Sequence, residues 1–176
     1  TVTSDDDKTY QPEYSWNYEV GSKLRFFDGK ITTDLSLFYI DWRHQQITHT
    51  IPGIGNILTN AGHSSSKGVE LAVTAHPINN WNVGLSYGYT YAEFLDYKQS
   101  DKVNYNHNML PMVPRNTFGV NSDYTLYPQC NVIDRITFSA GLDGTGKIYW
   151  DESNSLNQKF YLLLNAKVIV SSGNFN

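Results

Sequence analysis

Hydrophobic and polar positions alternate with period two along most of this chain, whereas the helical period of about 3.6 residues is nearly absent. From Trp16 to Phe26 the even positions are largely apolar, and the odd positions are polar, small or charged. Because successive side chains of a strand point to opposite faces, this pattern predicts a strand with one apolar face. Six further runs repeat it, at residues 31–39, 68–75, 81–91, 117–124, 135–143 and 160–168. The sequence therefore predicts an all-β chain of about seven long strands.

The Asp28-Gly29 dipeptide predicts the first hairpin, because both residue types tolerate the positive φ of a two-residue turn. A turn there pairs Phe26 with Ile31 and Tyr18 with Tyr39. The same register puts Lys23 opposite Asp34, which is a favourable cross-strand pair. Both faces agree with this single register, and a slip of one residue would invert them.

The two faces of the predicted strands differ in charge. The apolar face carries no Asp, Glu, Lys or Arg within the seven runs. The opposite face carries nine charged residues: Glu19, Lys23, Arg25, Asp34, Glu70, Asp123, Arg135, Asp143 and Lys167. A cation that faces lipid at mid-bilayer costs about 2–4 kcal/mol, and tilted strands of about 9–11 residues cross a bilayer. We therefore predict an antiparallel transmembrane β-barrel segment in which the nine charged residues form the lumen wall.

Ion pairs are expected within that wall, with a structural role as the default. Lys23 is predicted to pair with Asp34, and Glu70 with either Arg25 or Arg135. Aromatic residues near the strand ends fit the girdles that such barrels place at the two membrane interfaces.

The connections between the predicted strands alternate in length. Short turns are predicted at 28–29, at 77–80 and after Ser171, a medium turn at 125–133, and long loops at 42–66, 93–113 and 144–158. Short turns on one side and long loops on the other are typical of outer-membrane barrels. A complete bacterial barrel has an even number of strands and begins on the short-turn side, whereas this chain shows seven strands and a short first connection. We therefore expect it to be part of a longer barrel, with an eighth strand beginning after residue 174.

Composition and motifs narrow the class of protein. The net charge of −4 argues against a nucleic-acid partner, and the single Cys130 excludes a disulfide framework within the chain. No apolar run of about 18 residues predicts a transmembrane helix. The chain contains no phosphate-binding loop, nucleophile elbow or His-Glu-x-x-His motif, so we expect no enzyme, no cofactor and no metal site.

Several short motifs follow one another in a distinctive order. They are Pro12-Glu13 with Tyr18-Glu19-Val20-Gly21, Phe38–Trp42 with Gln45-Gln46-Ile47, Asn60-Ala61-Gly62, Lys67–Leu71, Pro114–Phe118 and Leu163–Ala166. Their order and spacing resemble the later barrel strands of TonB-dependent outer-membrane receptors, and they cover nearly the whole chain.

The resemblance implies a plug-filled barrel of about 22 strands, of which this chain supplies about the fourteenth to the twentieth. On this interpretation residues 1–176 are a partial barrel domain without the plug, the first strands and the last strands. The family implies active import across the cell outer membrane. The implied partners are outer-membrane lipid, the TonB energy-transducing complex (through the plug) and a small nutrient. A ferric siderophore or a related chelate such as haem or cobalamin is the leading nutrient, and an oligosaccharide is the second.

Two other classes of protein remain open. A soluble lipocalin-like barrel of eight strands would turn its apolar side chains inward and its charges outward. A small structural outer-membrane barrel is disfavoured by the position of the Asp28-Gly29 turn.

The candidate ligand-binding residues are aromatic, cationic or imidazole side chains in or beside the predicted long loops, where binding residues concentrate. They are Trp42, Arg43, His44, His63, Tyr97, Tyr105, His107, Arg115 and Trp150. Arginine can hold an anionic chelate by charge-assisted hydrogen bonds, and imidazole can ligate iron. Each residue taken singly is also explained as an interfacial anchor or a solvated loop residue.

Other residues receive weaker interpretations. His49 has the same two interpretations as the other loop histidines, whereas His76 beside the Pro77 turn is interpreted as structural. The run at residues 5–7 is acidic and could hold calcium, but a solvated loop is the more common meaning of such a run.

Overall fold

The structure is a computed structural model that describes residues 12–51, 55–100, 102–130 and 132–173. Strands are the regular elements of these ranges: β1 (Tyr14–Phe26), β2 (Ile31–Ile51), β3 (Gly55–Ile78), β4 (Trp81–Asp96), β5 (Lys98–Ser100), β6 (Val103–Asn104), β7 (Asn116–Leu126), β8 (Arg135–Thr145), β9 (Ile148–Tyr149), β10 (Asn157–Gln158) and β11 (Tyr161–Ser171). Within the described ranges there is no helix of the length and hydropathy needed to cross a membrane. The prediction of an all-β fold is confirmed.

Seven of these strands form one antiparallel sheet in the order β1-β2-β3-β4-β7-β8-β11. Each strand of this sheet pairs with the next one along the chain, so the predicted seven-stranded meander is confirmed. The four short strands form two small hairpins, β5 with β6 and β9 with β10, inside two of the connections. β1 and β11 are the edges of the sheet.

The β1–β2 hairpin has the register that the Asp28-Gly29 turn predicts. Phe26 pairs with Ile31, and the pairing continues in that register to the far end of β1. Between these strands Phe27, Asp28 and Gly29 all have left-handed φ angles, of 54°, 54° and 87°, so the left-handed turn includes Phe27 as well as the predicted Asp28-Gly29 pair. The N–H of Lys30 closes the turn by donating to the carbonyl of Phe27 at 3.1 Å.

The prediction of a long loop at 42–66 is wrong. β2 and β3 continue through this region as one hairpin, in a single register from Ile31 opposite Ala75 to Ile51 opposite Gly55. Side chains here are mostly polar on both faces, so no apolar stripe marks the strands in the sequence. Trp42, Arg43, His44 and His63 therefore lie on strands.

After β4 the chain turns back, and residues 102–113 return along the end of that strand. The N–H of Phe94 donates to the carbonyl of Asn108 at 3.0 Å, and the N–H of Leu110 donates to the carbonyl of Ala92 at 3.0 Å. Ala92, Phe94, Tyr97 and Leu110 form a buried cluster, against which Tyr105 and Val113 pack. The main hydrophobic core of the described residues thus lies between the last residues of β4 and the loop that follows it.

The sheet itself leaves its apolar face exposed. On that face Val20 is 66 % exposed and Val168 is 59 % exposed. The charged face instead lines a groove, so the sheet curves towards its polar side. This arrangement is the reverse of the lipocalin-like alternative, in which the apolar stripes would meet in a dry interior.

Candidate functional site

A groove of about 830 Å³ runs across the concave face of the sheet. Strands β1 to β4, β7 and β8 supply its lining. Five of the nine predicted wall residues line it: Glu19, Lys23, Asp34, Glu70 and Asp143. Lys23 is the one cation among these five, so this part of the wall is acidic.

The predicted pair between Lys23 and Asp34 is present, with Nζ 3.4 Å from Oδ1. Both side chains are well exposed, at 89 % and 54 %, so the pair is screened by water and adds little stability. In the next part of the wall Ser36 donates a hydrogen bond from Oγ to Oε1 of Glu19 at 2.7 Å. These contacts hold polar side chains across the groove between β1 and β2.

The predicted pairing of Glu70 with Arg25 or Arg135 is wrong. Glu70 lies opposite Ser36 and Gly88, whereas Arg25 lies opposite Thr32, four residues away along β2. Four residues of strand span about 13 Å. Arg135 lies still farther along the strands, where its Nε donates to Ser171 Oγ at 3.2 Å. The sequence alone did not place these strands in a common register.

The remaining wall residues lie outside the groove lining. Asp123 accepts a hydrogen bond from Ser139 Oγ, and Lys167 lies opposite Ser139 in the register of β8 and β11. Asp123 and Lys167 therefore lie on the same face of the sheet as Ser139.

Glycines on the charged face leave room for side chains of the neighbouring strands. A Cβ on Gly119 would lie 2.7 Å from Ser86 Oγ and 3.3 Å from Asp143 Oδ1. Gly141 is covered in the same way by the amide of Asn165. Polar side chains thus lie across the glycine positions, a feature that no short sequence motif signals.

The binding residues predicted near 42–66 form a cluster within β2 and β3, level with the first residues of β1. Asp41 accepts a hydrogen bond from Arg43 Nε at 2.8 Å through Oδ2 and contacts His63 Nε2 through Oδ1. The rings of His44 and Tyr14 meet edge to face at 5.4 Å. Asp41 was not among the predicted site residues. The sequence does carry a signal for it, because Asp41 is the first charged residue on the face of β2 that is otherwise apolar. Trp42 is half-buried between its neighbours on β1 and β3.

Tyr97 packs inside the folded loop. Its ring centroid is 4.9 Å from that of Phe94 and 5.3 Å from that of Tyr105, and its side chain is 3 % exposed. Burial, reinforced by the charge of Glu152, raises the pKa of Tyr97 to about 12. Little of this ring is therefore available to a ligand. Tyr105 is half-buried, and its hydroxyl donates to Gln99 Oε1 at 2.7 Å.

Two loops, 97–115 and 146–160, are clamped together by Asn154. Its side chain accepts from the N–H of Met109 at 2.7 Å and donates to the carbonyl of Met109 at 2.9 Å. Asn108 Nδ2 donates across the same junction to the carbonyl of Glu152 at 2.8 Å. The clamp makes the two loops one surface, which motif analysis did not reveal.

Asp151 organises the second of these loops. Its carboxylate accepts hydrogen bonds from Ser153 Oγ, from Ser155 Oγ at 2.8 Å and from the N–H of Leu156 at 2.7 Å. These bonds, led by that of Ser153, lower the pKa of Asp151 to about 2. The sequence signal is an Asp followed at short spacing by two serines, which favours a side-chain-capped turn.

The clamped loops carry two exposed members of the predicted set. The side chain of His107 is 77 % exposed, with Nδ1 3.4 Å from Glu93 Oε2, and Trp150 is 46 % exposed. Arg115 is also exposed, and its Cζ lies 5.0 Å from the ring centroid of Tyr91. The structure therefore brings part of the set together on the loops and leaves the rest within β2 and β3, beside the start of β1.

Metal-ligating side chains do not cluster in the described ranges, where no three His, Cys, Asp or Glu residues are grouped as a metal site. The acidic run 5–7 lies outside the described residues, as does the side chain of His49. Cys130 is an exposed free thiol, and His76 Nδ1 is 2.5 Å from Asn82 Oδ1 beside the turn that follows β3.

Curated relatives of the chain include a ferric-pyoverdine receptor and a probable siderophore receptor. It is 23 % identical over 154 residues to the ferric-pyoverdine 358 receptor of Pseudomonas putida, and 24 % identical over 151 residues to the probable TonB-dependent siderophore receptor PiuA of Acinetobacter baumannii. These alignments cover 85 % and 82 % of this chain but 17 % and 19 % of the relatives. The chain thus spans about a fifth of the length of the curated relatives that it matches.

Solved structures share the fold. The siderophore receptor PiuA from Acinetobacter baumannii superposes with a TM-score of 0.74 at 20 % identity, over 98 % of this chain and 24 % of that one. The ferric yersiniabactin uptake receptor FyuA from Yersinia pestis gives a TM-score of 0.72 at 22 % identity, over 89 % and 22 %. The family model for the TonB-dependent receptor-like β-barrel matches residues 2–175. With its seven-stranded meander and its charged inner face, the chain belongs to the TonB-dependent receptor β-barrel family.

Proposed function

We propose that this chain forms a sector of the wall of an outer-membrane receptor that imports a ferric siderophore. The division of the sheet into two faces carries the proposal. The convex face is apolar and exposed, as at Val20 and Val168, while the concave face holds the acidic groove. In a barrel embedded in lipid, the first face meets hydrocarbon and the second meets water.

Closure of the barrel is part of the proposal. β1 and β11 each present an edge without a partner strand in the described sheet. In hydrocarbon every unpaired backbone group costs several kcal/mol, so an open sheet is not a stable wall. We infer that residues 1–176 are one part of a longer receptor, in which other strands cover both edges and a plug fills the lumen.

The proposed nutrient is a ferric siderophore because the relatives are named as receptors for ferric pyoverdine and other siderophores. The clamped loops supply the proposed contacts: His107, Trp150 and the half-buried Tyr105. An aromatic ring offers a flat apolar surface to a chelate, and an imidazole offers a hydrogen bond or a charge. Arg43 and His63, which lie opposite each other on β2 and β3, form a second set of proposed contacts. Haem, cobalamin and oligosaccharides are the competing nutrients.

Energy and partners follow from the same proposal. The plug of the longer receptor connects the barrel to the TonB complex of the inner membrane, and the nutrient passes along the groove side of the sheet. We propose that the groove residues bind the nutrient and guide it through the lumen, and that the receptor is a transporter without enzymatic activity.

Uptake by the full-length polypeptide tests this function. It is expressed in a bacterial strain without a ferric-pyoverdine receptor, and uptake of radioactive iron is measured from ferric pyoverdine and ferric yersiniabactin. Radiolabelled cobalamin and maltohexaose are offered in parallel. We expect iron uptake from at least one chelate, abolished by deletion of TonB. Uptake of maltohexaose alone, or iron uptake that survives loss of TonB, contradicts the proposal.

A matched pair of variants tests the contacts. H107A together with W150A should weaken uptake at limiting chelate by about ten-fold, as expected when two contacts worth a combined 1.4 kcal/mol are lost. His76→Ala, at the opposite end of the sheet, should leave uptake unchanged. Equal uptake by all three proteins would remove the clamped loops from the binding site.

A further inference from the structure

The β2–β3 hairpin extends beyond the strands on either side of it. β1 begins opposite Arg43, and β4 ends opposite His63. Beyond this level, residues 45–51 and 55–61 pair only with each other in the described sheet. We call these residues the outer hairpin. Its backbone ladder therefore meets the rest of the sheet at one level, which we call the junction.

The backbone is irregular at the junction. His44 has a φ of 55°, a left-handed value that residues other than glycine rarely adopt. In the register of β2 and β3, His44 falls opposite Gly62, and a Cβ on Gly62 would overlap the carbonyl of Asp96. The register of β3 and β4 shifts at the same level, between His63 and Ser64. Irregular residues at the end of a regular ladder are the positions that absorb changes of backbone angle, so the junction is where the outer hairpin can change its orientation.

A carboxylate joins the two strands at the junction. Asp41 and Arg43 lie two residues apart on β2, and His63 lies opposite Arg43, so the three side chains share one face. Asp41 contacts His63 Nε2 through Oδ1 and accepts a hydrogen bond from Arg43 Nε at 2.8 Å through Oδ2. The bond from Arg43 stays within β2, whereas the contact with His63 crosses to β3. The side chains of Asp41 and His63 are 13 % and 30 % exposed, so water screens this contact less than the exposed pair of Lys23 with Asp34.

Two imidazoles at the junction are of the type that changes charge near neutral pH. Imidazole ordinarily titrates between about pH 5 and 8, whereas carboxylates, phenols, ammonium and guanidinium groups do not. His63 faces the carboxylate of Asp41, and the ring of His44 meets that of Tyr14 edge to face at 5.4 Å. Other ionisable residues described around the junction are Glu13 before β1, Tyr14 on β1, Arg43 on β2, Glu93 and Asp96 on β4, and Lys98 on β5. Of the two imidazoles, His63 is the one in contact with a carboxylate across the two strands.

We propose that protonation of His63 fixes the outer hairpin to the sheet. With the imidazole charged, His63 and Asp41 form an ion pair between β3 and β2 at the level where the backbone is irregular. With the imidazole neutral, this attraction is lost, and Asp41 keeps its charged partner Arg43 on its own strand. Because the ion pair requires the protonated imidazole, its stabilising effect is complete in acid, near about pH 5, and is lost as the pH rises towards about 8. The outer hairpin is then held in one orientation in acid and moves about the junction in alkali.

Amide hydrogen exchange of the full-length receptor in lipid vesicles tests the proposal. Exchange in the outer hairpin is followed by mass spectrometry between about pH 5 and 8 and is corrected for the intrinsic pH dependence of amide exchange. His63→Gln keeps a hydrogen-bond donor that cannot be charged, and Asp41→Asn removes the charge that His63 faces. The matched control His44→Asn removes the neighbouring imidazole and introduces a residue that tolerates a left-handed φ. Each sample is first checked for a folded barrel by its heat-dependent migration on a gel.

We expect protection of the outer hairpin in the parent to fall by about five-fold across this pH range, because a hydrogen bond between charged groups is stronger than one with a neutral partner. His63→Gln and Asp41→Asn should each remove this pH dependence, and His44→Asn should behave like the parent. Protection in the parent that stays constant or rises with pH overturns the proposal, as does a pH dependence that survives in His63→Gln or disappears in His44→Asn. The inference goes beyond the proposed function, and because no nutrient is present, a failure of the uptake experiment leaves this test unaffected.

Discussion

Leu71→Arg places a cation on the apolar face at the middle of the sheet. Leu71 lies opposite Leu35 and Tyr87, and it is four residues from Lys67 in one direction and four from Ala75 in the other. At about 3.3 Å per residue, Lys67 and Ala75 are each about 13 Å away along the strand. An arginine here cannot reach water easily, so the expected loss of stability is about 2–4 kcal/mol. This corresponds to a change in the folding equilibrium of roughly 30- to 700-fold.

The matched control is Ala72→Arg, one residue farther along β3. Ala72 lines the groove, and its neighbours in register are Asp34 and Ser86. The new cation would face water and a carboxylate, so we expect a change below about 1 kcal/mol. Urea unfolding of the full-length receptor in lipid vesicles measures both variants. The assignment of the two faces is refuted if Ala72→Arg is the more destabilising variant, or if the two variants unfold alike.

Three further predictions concern the turn and the clamped loops. Gly29→Ala should destabilise the β1–β2 hairpin by about 1–2 kcal/mol through backbone strain alone, because Gly29 has a φ of 87° and an added Cβ would meet no atom within 4 Å. The control Asp28→Asn should be neutral, and equal urea midpoints for the two variants would contradict the strain argument. Asn154→Ala removes both hydrogen bonds to Met109, so amide exchange in residues 97–115 should accelerate by a factor corresponding to about 1–3 kcal/mol, while amide exchange in the sheet stays the same. Unchanged amide exchange in residues 97–115 would show that Asn154 does not hold the two loops together. Because the pKa of Asp151 is lowered to about 2, its carboxylate should stabilise the loop fully above the unfolded pKa of about 3.9, and this stabilisation should be lost as the pH falls towards 2. Hydrogen exchange of the loop measures this pH dependence, which Asp151→Asn should abolish.

The sheet could be predicted from the sequence because two local signals agree. The alternation that runs through β1 and the first part of β2 fixes which side chains share a face, and the Asp28-Gly29 turn fixes the register. Long-range pairing was harder. The error about Glu70 arose because its partners depend on the registers of two hairpins whose turns carry no comparable signal.

The rim of the sheet could not be predicted in the same way. In residues 42–66 the side chains on both faces of the strands are mostly polar, so the sequence pattern does not distinguish a strand from a loop. Phe94 and Tyr97 become a core only because the chain returns along β4, which no short-range pattern reveals. The strands also run beyond the predicted ends, and on these extensions the apolar face acquires charges such as Asp41 and Lys67. The uncharged stretch between the margins is what the alternation detected.

The orientation of the two faces is tested most directly by a nitroxide scan through residues 69–74 of β3 in lipid vesicles. The full-length receptor first receives Cys130→Ser, because Cys130 is an exposed free thiol, and then one spin-labelled cysteine at a time. Collisions with oxygen, which concentrates in hydrocarbon, should peak at 69, 71 and 73, and collisions with a water-soluble nickel chelate should peak at 70, 72 and 74. The opposite phase, or accessibility without a two-residue period, would contradict the account.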